Sequence, residues 1–408
     1  MKKVISIVLN PFTNDSRVLK ENITLLNAGY DVEILALFKD GIDGLKEQED
    51  VQGINVRRLR RNPMTNIKTK TTQKENIKNE GRIKWFVRVT FNIIKKVLKL
   101  FGVNLSLYKL FIQFAKEAKG ADIIHCNDLY TLPMGVIVKK FYNKNVKIVY
   151  DAHEFETETN SLGFVQKKLL KILERTLIGY ADKVITVSDA IANEYAKMYN
   201  IEKPALVLNT PNYQKIDKKN IFREELGIKD NQTIFLYQGG FSKNRGIEIL
   251  VDTFKNIKDP NSVIIFMGYG PLEDFVQESA KEYNNIYFYP AVTPDVLLDY
   301  TCSADFGILF YENNCLNHYY CSPNKMFEYL MAEIPVIASS LYEMKRLVEN
   351  NSIGIVANEN TSEGLQDAIE NAVVLDKVVL QENIQKVKKV YNWEEQEKVL
   401  LDVYNGLY

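Results

Sequence analysis

The chain has 408 residues, with 52 Lys or Arg against 52 Asp or Glu and 46% apolar residues. That length exceeds one ordinary core, so two domains are expected, and a net charge of zero gives no reason to expect a nucleic-acid partner. No run approaches a membrane span, and Met1-Lys2-Lys3 leads straight into a strand, not into a signal peptide.

In chain order, the first strand is Val4–Leu9, and the loop after it runs through Asp15 into a helix over about Ser16–Ala28, closed by Gly29. Strand Val32–Leu37 follows. From Arg57 to Lys99 there are fourteen Lys or Arg and only two acids, Glu75 and Glu80. Asn62–Asn79 is polar enough to stay irregular. The remainder reads as a helix with a polar stripe of Lys84, Arg88, Asn92, Lys95 and Lys99 against a wide apolar face that includes Trp85, Phe86 and Phe91. Two readings of 82–101 stand side by side. It lies in the plane of an anionic membrane, where each basic residue adds roughly 1 kcal/mol, or its apolar face packs on the first domain.

Strands Ile123–Cys126, Lys147–Asp151, Val184–Val187 and Ala205–Leu208 complete the first series, and polar Asn209–Asn220, with Pro211, reads as a linker. A second series runs through Thr233–Gln238, Val263–Met267, Ile286–Phe288, Phe306–Leu309, Pro335–Ala338 and Ile353–Val356. Short β-branched runs alternating with amphipathic helices indicate an α/β chain with parallel, doubly wound sheets. The expected architecture is two Rossmann-like domains facing across a cleft, with ligands beyond the carboxyl ends of the strands.

The most informative segment is Ser322-Pro323-Asn324-Lys325-Met326-Phe327-Glu328-Tyr329. Ser322 suits an N-cap and Pro323 the first helical position, so a helix is expected to start here with its free N–H groups forming an anion site. Lys325 adds a full positive charge beside that end. Glu328 follows on the same face, about 4.5 Å further along the axis. The spacing suits a nucleotide, with Lys325 on a phosphate and Glu328 on the ribose hydroxyls, although an ordinary solvated helix start would show the same residues. After the strand ending at Gln238 come Gly239-Gly240 and then Arg245-Gly246, where glycines permit close approach and Arg245 can fork onto phosphate oxygens. Gly268-Tyr269-Gly270-Pro271 forms a second tight turn on the same sheet edge. Neither loop fits a dinucleotide fingerprint, which disfavours hydride transfer.

These motifs, with Ala304-Asp305 and Pro335-Val336-Ile337, occur in the order of the donor domain of the retaining glycosyltransferases of family four, which have the GT-B fold, and the chain resembles that family. The first half agrees through Asn14-Asp15-Ser16-Arg17, His125-Cys126-Asn127-Asp128, Tyr150-Asp151-Ala152-His153-Glu154 and Ala181-Asp182-Lys183-Val184. The final stretch 391–408 is similar to the helix that completes the first domain. The resemblance thus implies a first domain over 1–208 with an insertion at about 62–101, a linker over 209–220, and a donor domain over 221–390.

Residue by residue, the resemblance implies that Arg245 and Lys325 bind the diphosphate and stabilise it as a leaving group. Glu328 would hold the ribose, and the backbone near Val292 would meet the base. Gly240, Gly268, Ser322, Asn324 and Lys325 would present backbone to the donor. His153 would lie near the donor's anomeric carbon. The loop with Asp15 and Arg17, together with His125 and Asp128, would form the acceptor side; from the residues alone, Asp15 could instead cap the helix that follows, and His153 could be a satisfied core histidine. The family often has a sugar-contacting carboxylate eight residues before the ribose-binding one; Tyr320 stands there instead. Glu333 occupies a helix end where glycine is usual, which implies a different C-cap.

No Asp-x-Asp pair occurs, and Cys126, Cys302, Cys315, Cys321 and the three histidines lack metal-type spacing, so no metal and no cofactor is expected. The cysteines read as reduced thiols of a cytoplasmic protein, peripheral on the inner face of the plasma membrane if 82–101 meets lipid. The expected activity is transfer of a sugar, with retention, from a nucleotide sugar to a glycan or lipid-linked acceptor in cell-surface polysaccharide or glycoconjugate synthesis. A UDP-sugar is expected ahead of a GDP-sugar. The competing readings are a nucleotide-sugar 2-epimerase and a non-catalytic partner subunit of the same fold.

Overall fold

The computed structural model describes residues 1–13, 15–61 and 106–408. The basic segment 62–101, with both readings of its helix, lies outside the described residues, as does Asn14. The described chain divides into two compact units, one of 1–187, 191–207 and 397–408, the other of 188–190 and 208–396.

In the first unit, β1 (Lys3–Ile7) pairs in parallel with β2 (Asp31–Leu37) on one side and β5 (Ile123–Asn127) on the other. The sheet continues through β6 (Lys147–Ala152), β7 (Lys183–Thr186) and the short β8 (Ala205–Leu206), all parallel. Val4, Ile5, Ile7, Ile123, Ile124, Ile148 and Val149 are buried, as expected of strands covered on both faces. The other edge is a hairpin that the sequence reading missed. β3 (Gln48–Val51) runs antiparallel to β4 (Ile54–Leu59), which in turn pairs with β2. Gln52 and Gly53 both have positive φ in its two-residue turn, the geometry that matches strand twist. Arg57 and Arg58, at the start of the basic-rich stretch that runs to Lys99, therefore belong to a strand. Arg57 pairs with Glu33 and Glu117, and buried Arg58 with Glu49.

The second unit has a wholly parallel sheet in the order β11 (Ile286–Pro290), β10 (Ser262–Tyr269), β9 (Thr233–Gly240), β12 (Phe306–Leu309), β13 (Val336–Ala338), β14 (Gly354–Val356). The helix Asn324–Met331 packs on it through Tyr329. The Tyr329 hydroxyl accepts from the Gln238 N–H at 3.2 Å and lies 3.0 and 3.2 Å from the carbonyl oxygens of Leu236 and Ile308. Its ring fits because residue 307 is glycine; a Cβ there would lie 2.3 Å from the ring. The helix ends at Glu333 with φ 63°, where Ile334 N–H bonds the Tyr329 carbonyl at 3.0 Å and Glu333 N–H that of Leu330 at 3.1 Å. Glu333 bears the strain that a glycine would avoid there, and its carboxylate on Lys388 Nζ at 2.6 Å offsets part of that cost.

Gly307→Ala should cost about 1–3 kcal/mol, because the added methyl displaces a ring whose hydroxyl is tied to the sheet. Urea denaturation measures it, and an unchanged midpoint would show that the Tyr329 anchor moves freely.

Candidate functional site

The carboxyl end of β9 and the start of helix Asn324–Met331 form a cationic cradle in the second unit. The ring of Tyr237 lies under Lys325, whose Nζ is 3.8 Å from the ring centroid, and the Tyr237 hydroxyl donates to the Gly240 carbonyl at 3.0 Å. Lys325 is only 6% exposed, and its ammonium has no hydrogen-bond partner among the described residues. Arg245, just before the helix Ile247–Asn256, donates through Nη1 to the Tyr311 hydroxyl at 3.0 Å, and Lys325 Nζ lies 5.4 Å from the Tyr311 ring. Burial and then the charge of Arg245 push the Lys325 pKa down to about 7, against the pull of Glu328. Two cations thus gather about Tyr311, each 5.4 Å from its ring centroid, an arrangement that favours an anion beside them.

Glu328 accepts from Gln238 Nε2 at 2.6 Å, and Gln238 Oε1 accepts from the Thr301 hydroxyl at 2.8 Å. This relay from Thr301 fixes the carboxylate's orientation one turn beyond Lys325. The tight glycine turns are dictated by neighbouring backbone, since a Cβ at Gly268 would meet the Gly239 oxygen at 1.9 Å. Val292 packs, half-buried, on the core cluster around β10 and β12. Tyr320 ends the helix Leu316–Tyr320, packed against Tyr319 at 5.1 Å and edge-on to Tyr342 at 5.7 Å.

One expectation is corrected. Ser322 does not cap the helix; Pro323, with extended ψ of 140°, is the N-cap, and the helix begins at Asn324. A proline at the cap turns the preceding residue away from the helix end, and the Ser322 hydroxyl is buried without a hydrogen-bond partner among the described residues. The helix still opens at Lys325's own turn, so its first amides remain without partners inside the helix.

The first unit has its own charged cluster at the carboxyl ends of β5 and β6. Arg17 forks onto Asp151 at 2.8 and 2.9 Å and donates to the Val207 carbonyl at 2.6 Å, with Glu21 at 3.0 Å. His153 lies between Asp151 at 3.3 Å and Asp128 at 3.1 Å, and Asp128 has φ 73°. Burial would lower the His153 pKa, but the two carboxylates outweigh it and hold it up at about 10. Burial would likewise raise the Asp151 carboxyl, yet Arg17 and His153 keep it well below the usual range. Burial lifts Asp128 to about 6, against His153. His153 is therefore an imidazolium at neutral pH, a fixed donor at a partly exposed position.

The other residues read as facing an acceptor are placed differently. His125 is completely buried, its Nδ1 2.8 Å from the Tyr404 hydroxyl, and burial lowers its pKa to about 4. Arg17 is buried too, spent on Asp151. Both serve the interior because the strand and helix that carry them are covered. Asp15 caps the helix Ser16–Asn27 by accepting from Val18 N–H at 3.2 Å. Asp128 reaches a partly exposed position beside His153, another expected site residue. Glu21, His125 and Asp151 bring ligand-type atoms within 4.8 Å of one another, but Arg17 already supplies the positive charge there. Tyr237, Gln238, Tyr311, Thr301 and Asp151 were not singled out from the sequence. Asp151, two residues before His153 at a strand end, gave the clearest available signal.

Two family models match the chain. One, described as Glycosyltransferase Family 4, matches 24–210, and the other, Glycosyl transferases group 1, matches 232–373. An uncharacterized glycosyltransferase of Methanocaldococcus jannaschii is 21% identical over 400 residues, spanning 93% of this chain and 90% of its own. Sucrose-phosphate synthase of Thermosynechococcus elongatus superposes with a TM-score of 0.74 at 18% identity, over 100% of this chain and 99% of that one. HepE of Anabaena, solved with UDP and glucose, gives 0.69 at 15% identity, over 100% and 99%. The two sheets are thus those of a GT-B fold. No described helix is long and apolar enough to cross a membrane.

A diphosphate seated beside Lys325 must raise its pKa back towards the ordinary lysine value. Above pH 7 binding should therefore take up a proton, and affinity for UDP should fall as pH rises from about 7 to 9. Calorimetry in buffers of different ionisation enthalpy counts the proton. Lys325→Arg should remove both effects; uptake that survives in that variant would place the titrating group elsewhere.

Proposed function

The chain belongs to glycosyltransferase family four, and on that premise we propose that it moves a sugar, with retention, from a nucleoside diphosphate sugar to a hydroxyl of a glycan or lipid-linked acceptor in the synthesis of cell-surface polysaccharide or glycoconjugate. The observation that carries the donor side of this reading is the buried ammonium of Lys325 at a helix start, without a hydrogen-bond partner among the described residues, 3.8 Å from the Tyr237 ring centroid and near Tyr311 as Arg245 is. As the bond from the anomeric carbon to the phosphate oxygen breaks, negative charge gathers on the diphosphate. Two fixed cations and the helix end stabilise that charge more than they stabilise the intact donor, which lowers the barrier. With those cations in place we assign the leaving-group role to Lys325 and Arg245, not to a protein-held divalent ion.

Glu328, oriented by Gln238, takes the ribose hydroxyls, and the base lies by Val292. Uracil is our choice of base, supported by the structural neighbour solved with UDP and glucose. His153, kept charged between Asp128 and Asp151 with a ring nitrogen towards each, is the group of the first unit that we assign to the substrate sugar, as a fixed positive charge beside it. Retention rests on family membership alone. Tyr320, which brings no charge, leaves the sugar to main chain and Asn324.

Lys325→Ala and Arg245→Ala should each weaken UDP binding by about 1–3 kcal/mol, measured by calorimetry with EDTA present. Unchanged affinity in both would remove the phosphate assignment. Glu328→Ala should weaken UDP while leaving pyrophosphate unaffected; equal loss for both ligands would refute the ribose role. Product analysis with a candidate acceptor separates transfer from epimerisation of the donor and from binding without turnover.

A further inference from the structure

The short helix Leu316–Tyr320, which follows β12 in the second unit, has no fully buried residue. Its residues meet two different neighbours. His318 lies edge-on to Tyr311 at 5.5 Å, the ring about which Arg245 and Lys325 gather. Tyr319 and Tyr320 meet Tyr342 instead, at 6.1 and 5.7 Å, and the Tyr320 and Tyr342 rings stand at 87° to one another. Tyr342 opens the helix Tyr342–Asn351 after β13 and is 48% exposed, while Tyr319 and Tyr320 are half-buried. Tyr319 also packs on the core cluster, which anchors the group. The three tyrosines form one aromatic corner beyond the carboxyl ends of the paired strands β12 and β13.

This corner is continuous with the cationic cradle. His318 and Tyr320 are two residues apart on one helix, and Cys321, next in the chain, is close enough to Lys325 to act on its charge. A sugar joined to a diphosphate on Lys325 and Arg245 can reach only the residues that flank the cradle. The chemistry of this flank is aromatic and without acids. No Asp or Glu occurs between Glu312 and Glu328, and Glu343, beside Tyr342 in the chain, is buried with its carboxylate on Arg346. A carboxylate accepts from sugar hydroxyls, whereas a tyrosine ring offers a flat apolar face. A sugar bearing only hydroxyls gains little from such a face. An acetamido group gains more, because its planar amide stacks on a ring and its methyl leaves water against it.

We propose that Tyr320 and Tyr342, anchored by Tyr319, seat the sugar of the donor and select one with an acetamido group, an N-acetylhexosamine. The inference rests on the donor reading above, because the diphosphate on Lys325 and Arg245 is what brings the sugar to the corner. Main chain and Asn324 serve the sugar's hydroxyls, and the rings take its acetamido group.

The test is calorimetry of the full chain with UDP and with two matched pairs, UDP-glucose against UDP-N-acetylglucosamine and UDP-galactose against UDP-N-acetylgalactosamine. In at least one pair the acetamido sugar should bind about fourfold or more tighter than its hydroxyl counterpart, the worth of one methyl group taken out of water. Tyr320→Ser with Tyr342→Ser should bring the members of that pair level while UDP affinity stays unchanged. Tyr320→Phe with Tyr342→Phe should keep the preference, because the ring face carries the contact. In the wild type, saturation-transfer NMR should mark the acetamido methyl as well as the uracil protons. Equal affinities within both pairs, a preference that survives the serine variant, or an unmarked methyl beside marked uracil would each overturn the proposal. UDP bound without discrimination between the sugars refutes this inference alone; wild-type protein that binds no UDP refutes the donor reading, and the inference with it.

Discussion

The ammonium of Lys325 is buried against an aromatic ring with no hydrogen-bond partner among the described residues, and the surrounding strands and helix hold it there. An unpaired buried cation is costly, so the residues about it must be held firmly enough to keep it there. Tyr329 does most of the holding. Its hydroxyl joins three backbone groups on β9 and β12, and Gly307 leaves room for its ring. The Tyr237 face offsets part of the cost through its quadrupole, and the lowered pKa offsets more by letting the lysine share its time between charged and neutral forms. An anion bound beside it, as proposed above, would balance the charge that the surrounding residues leave unpaired.

The first unit solves a related problem differently. Its buried cation, Arg17, is fully engaged by Asp151, with Glu21 alongside, so this charge is structural. Its effect reaches the surface through His153, which shares Asp151 with Arg17 and leans on Asp128. The imidazolium is thus set by a carboxylate that is itself set by an interior ion pair. Both units place their charged groups at the carboxyl ends of parallel strands, where the strand-to-helix turns open and side chains can converge.

Much of this was readable in the residues. Val4, Val32, Ile123, Val184 and their neighbours declare parallel strands because both faces are buried, and the pattern needs no partner to be visible. Lys325 and Glu328 declare themselves by one-turn spacing beside Pro323. The hairpin Gln48–Leu59 was hidden because it lies at an edge, where Arg57, Arg58 and Arg60 look like a basic run until Glu33, Glu49 and Glu117 are brought in from elsewhere. The capping role given to Ser322 failed because a cap depends on backbone angles, and Pro323 took that position. Gln238 and Tyr237 were invisible for another reason. Nothing in their own neighbourhood marks them, and they join the cradle only when β9 meets a helix some ninety residues later. His125 misled in the opposite sense, since a polar residue at a strand end says nothing about whether a C-terminal helix will cover it with Tyr404.

The central claim is that the Lys325–Arg245 pair with its helix end holds a nucleoside diphosphate. A crystal structure with UDP, grown in EDTA, tests it most directly. The account predicts diphosphate oxygens within hydrogen-bond distance of Lys325 Nζ and the Arg245 guanidinium, with the ribose hydroxyls on Glu328. A diphosphate bound elsewhere, with Lys325 Nζ still lying on Tyr237 and donating to no phosphate oxygen, would contradict it.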